Sequence, residues 1–196
     1  MDLKGKKGWI FDLDGTLTQP VHDFAYIREV LGIRPEEDIL ATIAAKPEQV
    51  RRPMTEQLDE LERHFAALAK PADSVLECLT LLKSRNCSLG ILTRNTKEMA
   101  LLSLQAIGAA DFFSLDNILG REESQPKPAP DGINFLLNQW DMDSSSAVMV
   151  GDYHFDLLSG RAAGVSTVHV DKQDHNWPED TDVRVRTLSE LVSLFS

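Results

Sequence analysis

Asp12 and Asp14 stand two positions apart, just beyond the apolar run Gly8-Trp9-Ile10-Phe11. In an extended chain, residues i and i+2 leave the same face, about 6.6 Å apart along the strand, so a phosphoryl-sized group fits between the two carboxylates. Such acids repel each other, and burying both without a cation raises a pKa and costs stability. A structural role explains the pair poorly. Gly15 follows, and its freedom to take positive φ lets backbone N–H groups face an anion. Asp152 and Asp156 make a second acidic pair beyond Ala147-Val148-Met149-Val150 and Gly151. Carboxylate oxygens from separate strand ends suit a hard ion such as Mg2+. His22, His64, His154, His169 and His175 show no zinc-ligand spacing.

Further polar groups fall at the ends of apolar runs. Thr93, Arg94 and Asn95 close Leu89-Gly90-Ile91-Leu92, and Lys127 sits in Gln125-Pro126-Lys127-Pro128-Ala129-Pro130. Each feature has a plain reading when taken alone. Asp14-Gly15 is a common turn, Asp156 a helix N-cap, Asn95 or Thr96 the cap of the next helix, and Lys127 a solvated lysine. Their joint placement changes the weighing, because ligands of open α/β sheets bind beyond the carboxyl ends of the strands.

The elements that must carry these groups are visible as hydrophobic patterns. Short apolar runs at Gly8–Phe11, Leu89–Leu92, Ala147–Val150 and Val165–Val170 read as buried strands. Helical spacing fits Val75, Leu76, Leu79 and Leu82; Met99, Leu102 and Ala106; and Ile133, Leu136, Leu137 and Trp140, with Pro130 near that helix's start. The alternation predicts a parallel sheet covered on both faces. Phe112–Leu115 and Val183–Val185 are further strand candidates, and Leu188–Phe195 a terminal helix. Between Thr18 and Pro71 the pattern is helical throughout: Phe24, Ile27, Val30 and Leu31; Ile39–Ala45; then Met54, Leu58, Leu61, Phe65 and Leu68. Gly32, Pro35, Pro47 and Pro53 punctuate these helices. The simplest arrangement is a small helical insertion after the first strand; the alternative is a long first crossover packed into the main core.

Composition narrows the function classes. The chain has 196 residues, 42% of them hydrophobic, and a formal charge of −11. That is ordinary globular composition, and the acidity disfavours bulk binding to nucleic acid or to an anionic membrane surface. A local pocket of cations can still receive a small anion. Cys78 and Cys87 alone make no disulfide framework, and no signal-peptide or membrane-span pattern occurs, which predicts a reducing, cytoplasmic setting.

In order along the chain, Asp12-Leu13-Asp14-Gly15-Thr16, Thr93, Lys127 and Gly151-Asp152 with Asp156 resemble the four motifs of the haloacid dehalogenase-like superfamily of phosphotransferases. The resemblance covers almost the whole chain and points to the phosphoglycolate phosphatase-like and phosphomutase branch. It implies a three-layer Rossmann-like α/β core, residues 1–17 and 72–196, with residues 18–71 as a short helical cap. By that match Asp12 is the nucleophile, forming an aspartyl-phosphate, and Asp14 is general acid, then general base. Mg2+ is held by Asp12, the Asp14 backbone carbonyl and Asp152; Asp156 meets the metal through water or orients its neighbours. Thr93, Arg94 and Lys127 are phosphate-binding candidates.

The carboxylate at position 14 favours a phosphate ester over a haloacid, since a departing alkoxide needs a proton and a halide does not. The expected activity is hydrolysis of a small phosphorylated metabolite. A phosphomutase would use the same groups, and a non-catalytic phospholigand-binding regulator is the third reading. Selectivity is expected in the insertion, from His22, Tyr26, Arg28, Arg51 and Arg52 together with Arg94 and His154. Tyr26 and His64 also fit the helical stripes as core or boundary residues. Hinges are expected near Thr18–Pro20 and Lys70-Pro71.

Overall fold

The computed structural model describes residues 3–20 and 23–195. Six strands form one sheet: β1 (Gly8–Phe11), β2 (Ser88–Leu92), β3 (Ile118–Leu119), β4 (Ala147–Gly151), β5 (Ser166–Val170) and β6 (Val183–Val185). All neighbours are parallel and the order is β3-β2-β1-β4-β5-β6. The helices are α1 (Phe24–Leu31), α2 (Ile39–Ala44), α3 (Glu48–Ala67), α4 (Val75–Ser84), α5 (Lys97–Ala106), α6 (Asp131–Gln139), α7 (His154–Ala163) and α8 (Leu188–Ser193).

The pleat of β1 explains why both faces need covering. Trp9 and Phe11 point into a core with Leu79 of α4, Leu104 of α5 and Leu191 of α8. Ile10 points the other way, with Met149 of β4 and Ile133 and Leu136 of α6. The central strands β1 and β4 are therefore apolar and buried along their whole length, as a sheet between two helical layers requires. The layers form a Rossmann-like α/β fold, as the alternation of strand and helix patterns predicts. In this strand order the chain reverses direction across the sheet between β1 and β4, which opens a crevice at their carboxyl ends.

The three helices between β1 and α4 have a core of their own, built from Ile27, Leu31, Ile33, Ile39, Ile43 and Leu58. Their ends are locally encoded. Asp23 caps α1 by accepting from the Tyr26 N–H at 2.9 Å, and Asp38 caps α2 through the Ala41 N–H at 2.9 Å. Gly32 ends α1 in the left-handed conformation. Two antiparallel connecting strips join this insertion to the sheet: Gln19 N–H donates to Lys70 O at 2.8 Å, and Ala72 N–H to Leu17 O at 2.9 Å.

Some sequence expectations need correction. Phe112–Leu115 is not a strand: 3-10 turns occupy Ala110–Phe112 and Leu115–Asn117, and the edge strand is Ile118–Leu119. The i→i+3 bonds Phe112 N–H to Ala109 O and Asn117 N–H to Ser114 O satisfy the backbone locally, while Phe113 is buried in the core and Phe112 packs against its edge. Pro53 does not punctuate α3 but lies inside it. The carbonyl it leaves without a helical partner, that of Gln49, is on an exposed residue and open to water. Tyr26 and His64 are exposed rather than core or boundary residues, because Ile27 and Leu58 carry the inward stripe.

Candidate active site

Asp12 leaves β1 with its N–H donating to Val150 O at 2.9 Å, so the sheet itself fixes where its side chain begins. The Lys127 ammonium donates to Asp12 Oδ1 at 2.6 Å and lies 2.6 Å from Asp156 Oδ1. The Thr16 hydroxyl lies between Asp12 Oδ2, at 3.2 Å, and Asp152 Oδ1, at 3.4 Å. Asp156 stands in the first turn of α7, where its Oδ2 accepts from the Tyr153 N–H at 3.0 Å. It is thus a capping-box partner rather than the N-cap itself, and its other oxygen anchors Lys127.

This cluster is crowded with negative charge. Oxygens of Asp12, Asp152 and Asp156 all lie within 4.8 Å of one another. Burial, followed by the charges of Asp12 and Asp156, pushes the Asp152 carboxyl well above its ordinary range. Burial and Asp12 also push Asp156 upward, against the pull of Lys127. Burial draws the Lys127 ammonium down, but Asp12 and Asp156 outweigh it and drive its pKa up, so it stays charged. Three carboxylates around one lysine leave an excess of negative charge, and a divalent, oxygen-seeking cation fits that donor set. Gly15, at φ +92°, is required beside it, since a Cβ there would sit 2.4 Å from Asp152 Oδ2.

Asp14 opens the turn after β1, and its carboxyl is raised to about 7 by burial and then by the Asp12 charge, with a hydrogen bond from Asn95 and the charge of Lys127 opposing. A carboxyl raised toward neutrality can both give and take a proton. Thr93 is buried at the end of β2, its N–H donating to Leu119 O at 3.0 Å and its Oγ1 accepting from the Asn95 N–H at 3.0 Å.

The model of the haloacid dehalogenase-like hydrolases matches residues 9–170, which include every group just described. The chain belongs to that family. Among the relatives, the pyrophosphatase PpaX of Bacillus pumilus is 30% identical over 176 residues, covering 82% of this chain and 81% of that protein. A phosphoglycolate phosphatase of Neisseria meningitidis is 29% identical over 187 residues, covering 82% and 78%. The solved hydrolase YfnB of Bacillus subtilis, bound to magnesium, superposes with a TM-score of 0.69 at 18% identity, over 97% of this chain and 99% of that one; at that identity the likeness concerns the fold.

The structure brings Asp12, Asp14, Lys127, Asp152 and Asp156 together, with Thr93 at the neighbouring strand end. Arg94 is turned elsewhere. Its Nη2 reaches Asp38 Oδ1 and Oδ2 at 2.9 and 2.7 Å, and its guanidinium lies 4.7 Å over the Phe155 ring. Arg28 donates to the carbonyls of Glu37 and Phe24, while Arg51 and Arg52 pair with Glu48 and Glu56 on the exposed face of α3. His154 pairs with Asp180 at 2.8 Å and stacks on Trp177. His22 lies outside the described residues.

Spacing alone does not announce Thr16, Asn95, Glu62 or Arg121. Thr16 and Asn95 lie within runs already singled out but receive no site role from spacing, whereas Glu62 and Arg121 meet only through the fold. Nor does it announce that His169, Asp171 and His175 carry potential ligand atoms within 4.8 Å of one another. There the Arg184 guanidinium and the N–H groups of Gln173 and His175 already occupy the Asp171 carboxylate.

Among the described residues, no helix is long and apolar enough to cross a membrane.

Proposed function

We propose that the protein is a Mg2+-dependent phosphatase that hydrolyses a small phosphomonoester through an aspartyl-phosphate on Asp12. The observation that carries this reading is the Asp12 carboxylate, held by Lys127 on one oxygen and by Thr16 on the other, with Asp14, whose carboxyl burial raises, two residues away. Phosphatase names among the relatives support the reaction class.

In this reading an Asp12 oxygen attacks phosphorus in line as the ester P–O bond breaks, and Asp14 gives its proton to the departing alkoxide. Asp14, now a carboxylate, takes a proton from water as that water attacks the acyl-phosphate and releases Asp12 with inorganic phosphate. Lys127 donates to Asp12 and offsets charge on the phosphoryl oxygens, and Asp156 holds Lys127 in place. The Thr93 hydroxyl is a donor for a phosphoryl oxygen. Asp12, the Asp14 backbone carbonyl and Asp152 would hold Mg2+, whose charge favours the developing negative charge of the transferring group. Positioning and electrostatics therefore carry most of the catalysis.

The test is phosphate release from a panel of phosphomonoesters, with Mg2+ or with chelator, in the parent and in Asp12→Asn. Release is expected only from the parent with Mg2+. Unchanged turnover in Asp12→Asn overturns the assigned nucleophile.

A further inference from the structure

The helical insertion approaches the strand ends beside Asp14 through Glu62 of α3, and the charges on that wall are paired in a definite way. Arg121, which follows β3, donates through Nη2 to Asp59 at 2.5 Å and through Nη1 to Glu62 at 2.7 Å, both acids belonging to α3. The same Nη1 reaches the Arg94 carbonyl at 3.3 Å, so the two arginines are neighbours. Arg94 is clasped by Asp38 at the start of α2. Glu62 is almost fully buried and close enough to Asp14 to feel its charge. Arg28, the other cation near Asp38, spends its donors on backbone carbonyls. The guanidiniums on this wall are thus compensated by the insertion itself.

We infer that this wall selects phosphate esters whose alcohol portion carries no second negative charge, with Asp38, Asp59 and Glu62 acting as specificity residues by withholding Arg94 and Arg121 from a substrate anion. The inference rests on the phosphatase reading above and names its substrate class. A carboxylate or second phosphate placed beside Asp14 must either face Glu62 and Asp59 directly or take an arginine from them, leaving a buried carboxylate without its partner. A hydroxyl-bearing alcohol incurs neither cost. Rejection built from charges already on the protein is a recognised route to selectivity.

The experiment compares esters of nearly equal shape, 2-hydroxyethyl phosphate against 2-phosphoglycolate and glycerol 3-phosphate against 3-phosphoglycerate, with p-nitrophenyl phosphate as a general reporter. All are assayed with Mg2+ in the full chain. The neutral-alcohol member of each pair is expected to have the higher kcat/KM, by about tenfold or more, with the difference mainly in KM.

In Asp38→Asn, which keeps a side-chain cap for α2, the ratio is expected to fall because Arg94 loses its compensating charge. Hydrolysis of the reporter with equal or better use of the carboxylated esters overturns this inference alone, as does an unaltered ratio in Asp38→Asn. Inactivity toward the reporter and all four esters overturns the phosphatase reading, and this inference with it.

Discussion

At the scale of single residues, Lys127 is the group on which the acidic cluster most depends. It is almost fully buried and is the cation shared by Asp12 and Asp156, so removing it leaves carboxylates facing one another in a desolvated place. Lys127→Met is expected to abolish phosphate release and to lower unfolding stability in metal-free buffer by about 3–5 kcal/mol, the usual cost of breaking a buried pair from one side. Saturating Mg2+ should return part of that loss, because a bound cation stabilises only the state that assembles its ligands. Urea unfolding at pH 7, with and without Mg2+, reads both effects. Parent-like stability of the metal-free variant would show that the carboxylates do not repel as described.

At the scale of elements, the end of β5 is tied to β6 by one side chain. Asp171 accepts from the Gln173 N–H at 3.0 Å, the His175 N–H at 3.1 Å and Arg184 Nε at 2.9 Å. Burial would raise its pKa, but Arg184 and these N–H groups win and hold it at about 2, below the ordinary 3.8. A carboxylate depressed on folding stabilises the fold above its unfolded pKa and loses that contribution as pH falls toward the folded value. Asp171→Asn should therefore lower Tm at pH 7, with the gap narrowing from about pH 4 toward pH 2. A gap that stays constant across that range would mean the charge of Asp171 is not what joins the strands. Such a tie is hard to read from sequence, since it needs the register Val168↔Val183 that pairs β5 with β6. The central strands β1, β2 and β4 are legible because burial on both faces makes them largely apolar, and Asp12, Asp14, Thr93 and Asp152 are legible because each follows such a run. The turns at Phe112–Leu115 mislead because Phe113 is apolar for a packing reason that strand periodicity mimics. Lys127 is legible only through its motif, as a proline-rich loop has no periodicity to show where its lysine points.

At the scale of the whole molecule, the sheet and the helical insertion meet through ion pairs of unequal depth. Arg63 with Glu98 is solvent-exposed, at 47% and 61% side-chain exposure, whereas Arg121 and Glu62 are each only 10% exposed. An exposed pair contributes little, roughly 0–1 kcal/mol, because water already solvates both partners. The buried one is different: burial, only partly opposed by Arg121, lifts the Glu62 carboxyl to about 7, so without the guanidinium it would have to stay neutral or seek water. Arg121→Met should consequently loosen α3 from α5 and speed amide hydrogen exchange in α3 and in the strips at Leu17–Gln19 and Lys70–Ala72. Arg63→Ala should leave that exchange close to the parent's. The strand order and the central sheet strands should keep their protection in both variants, since their cores lie on the far side of the connecting strips. Equal exchange in the two variants would place the closure of the insertion in apolar packing rather than in the buried guanidinium.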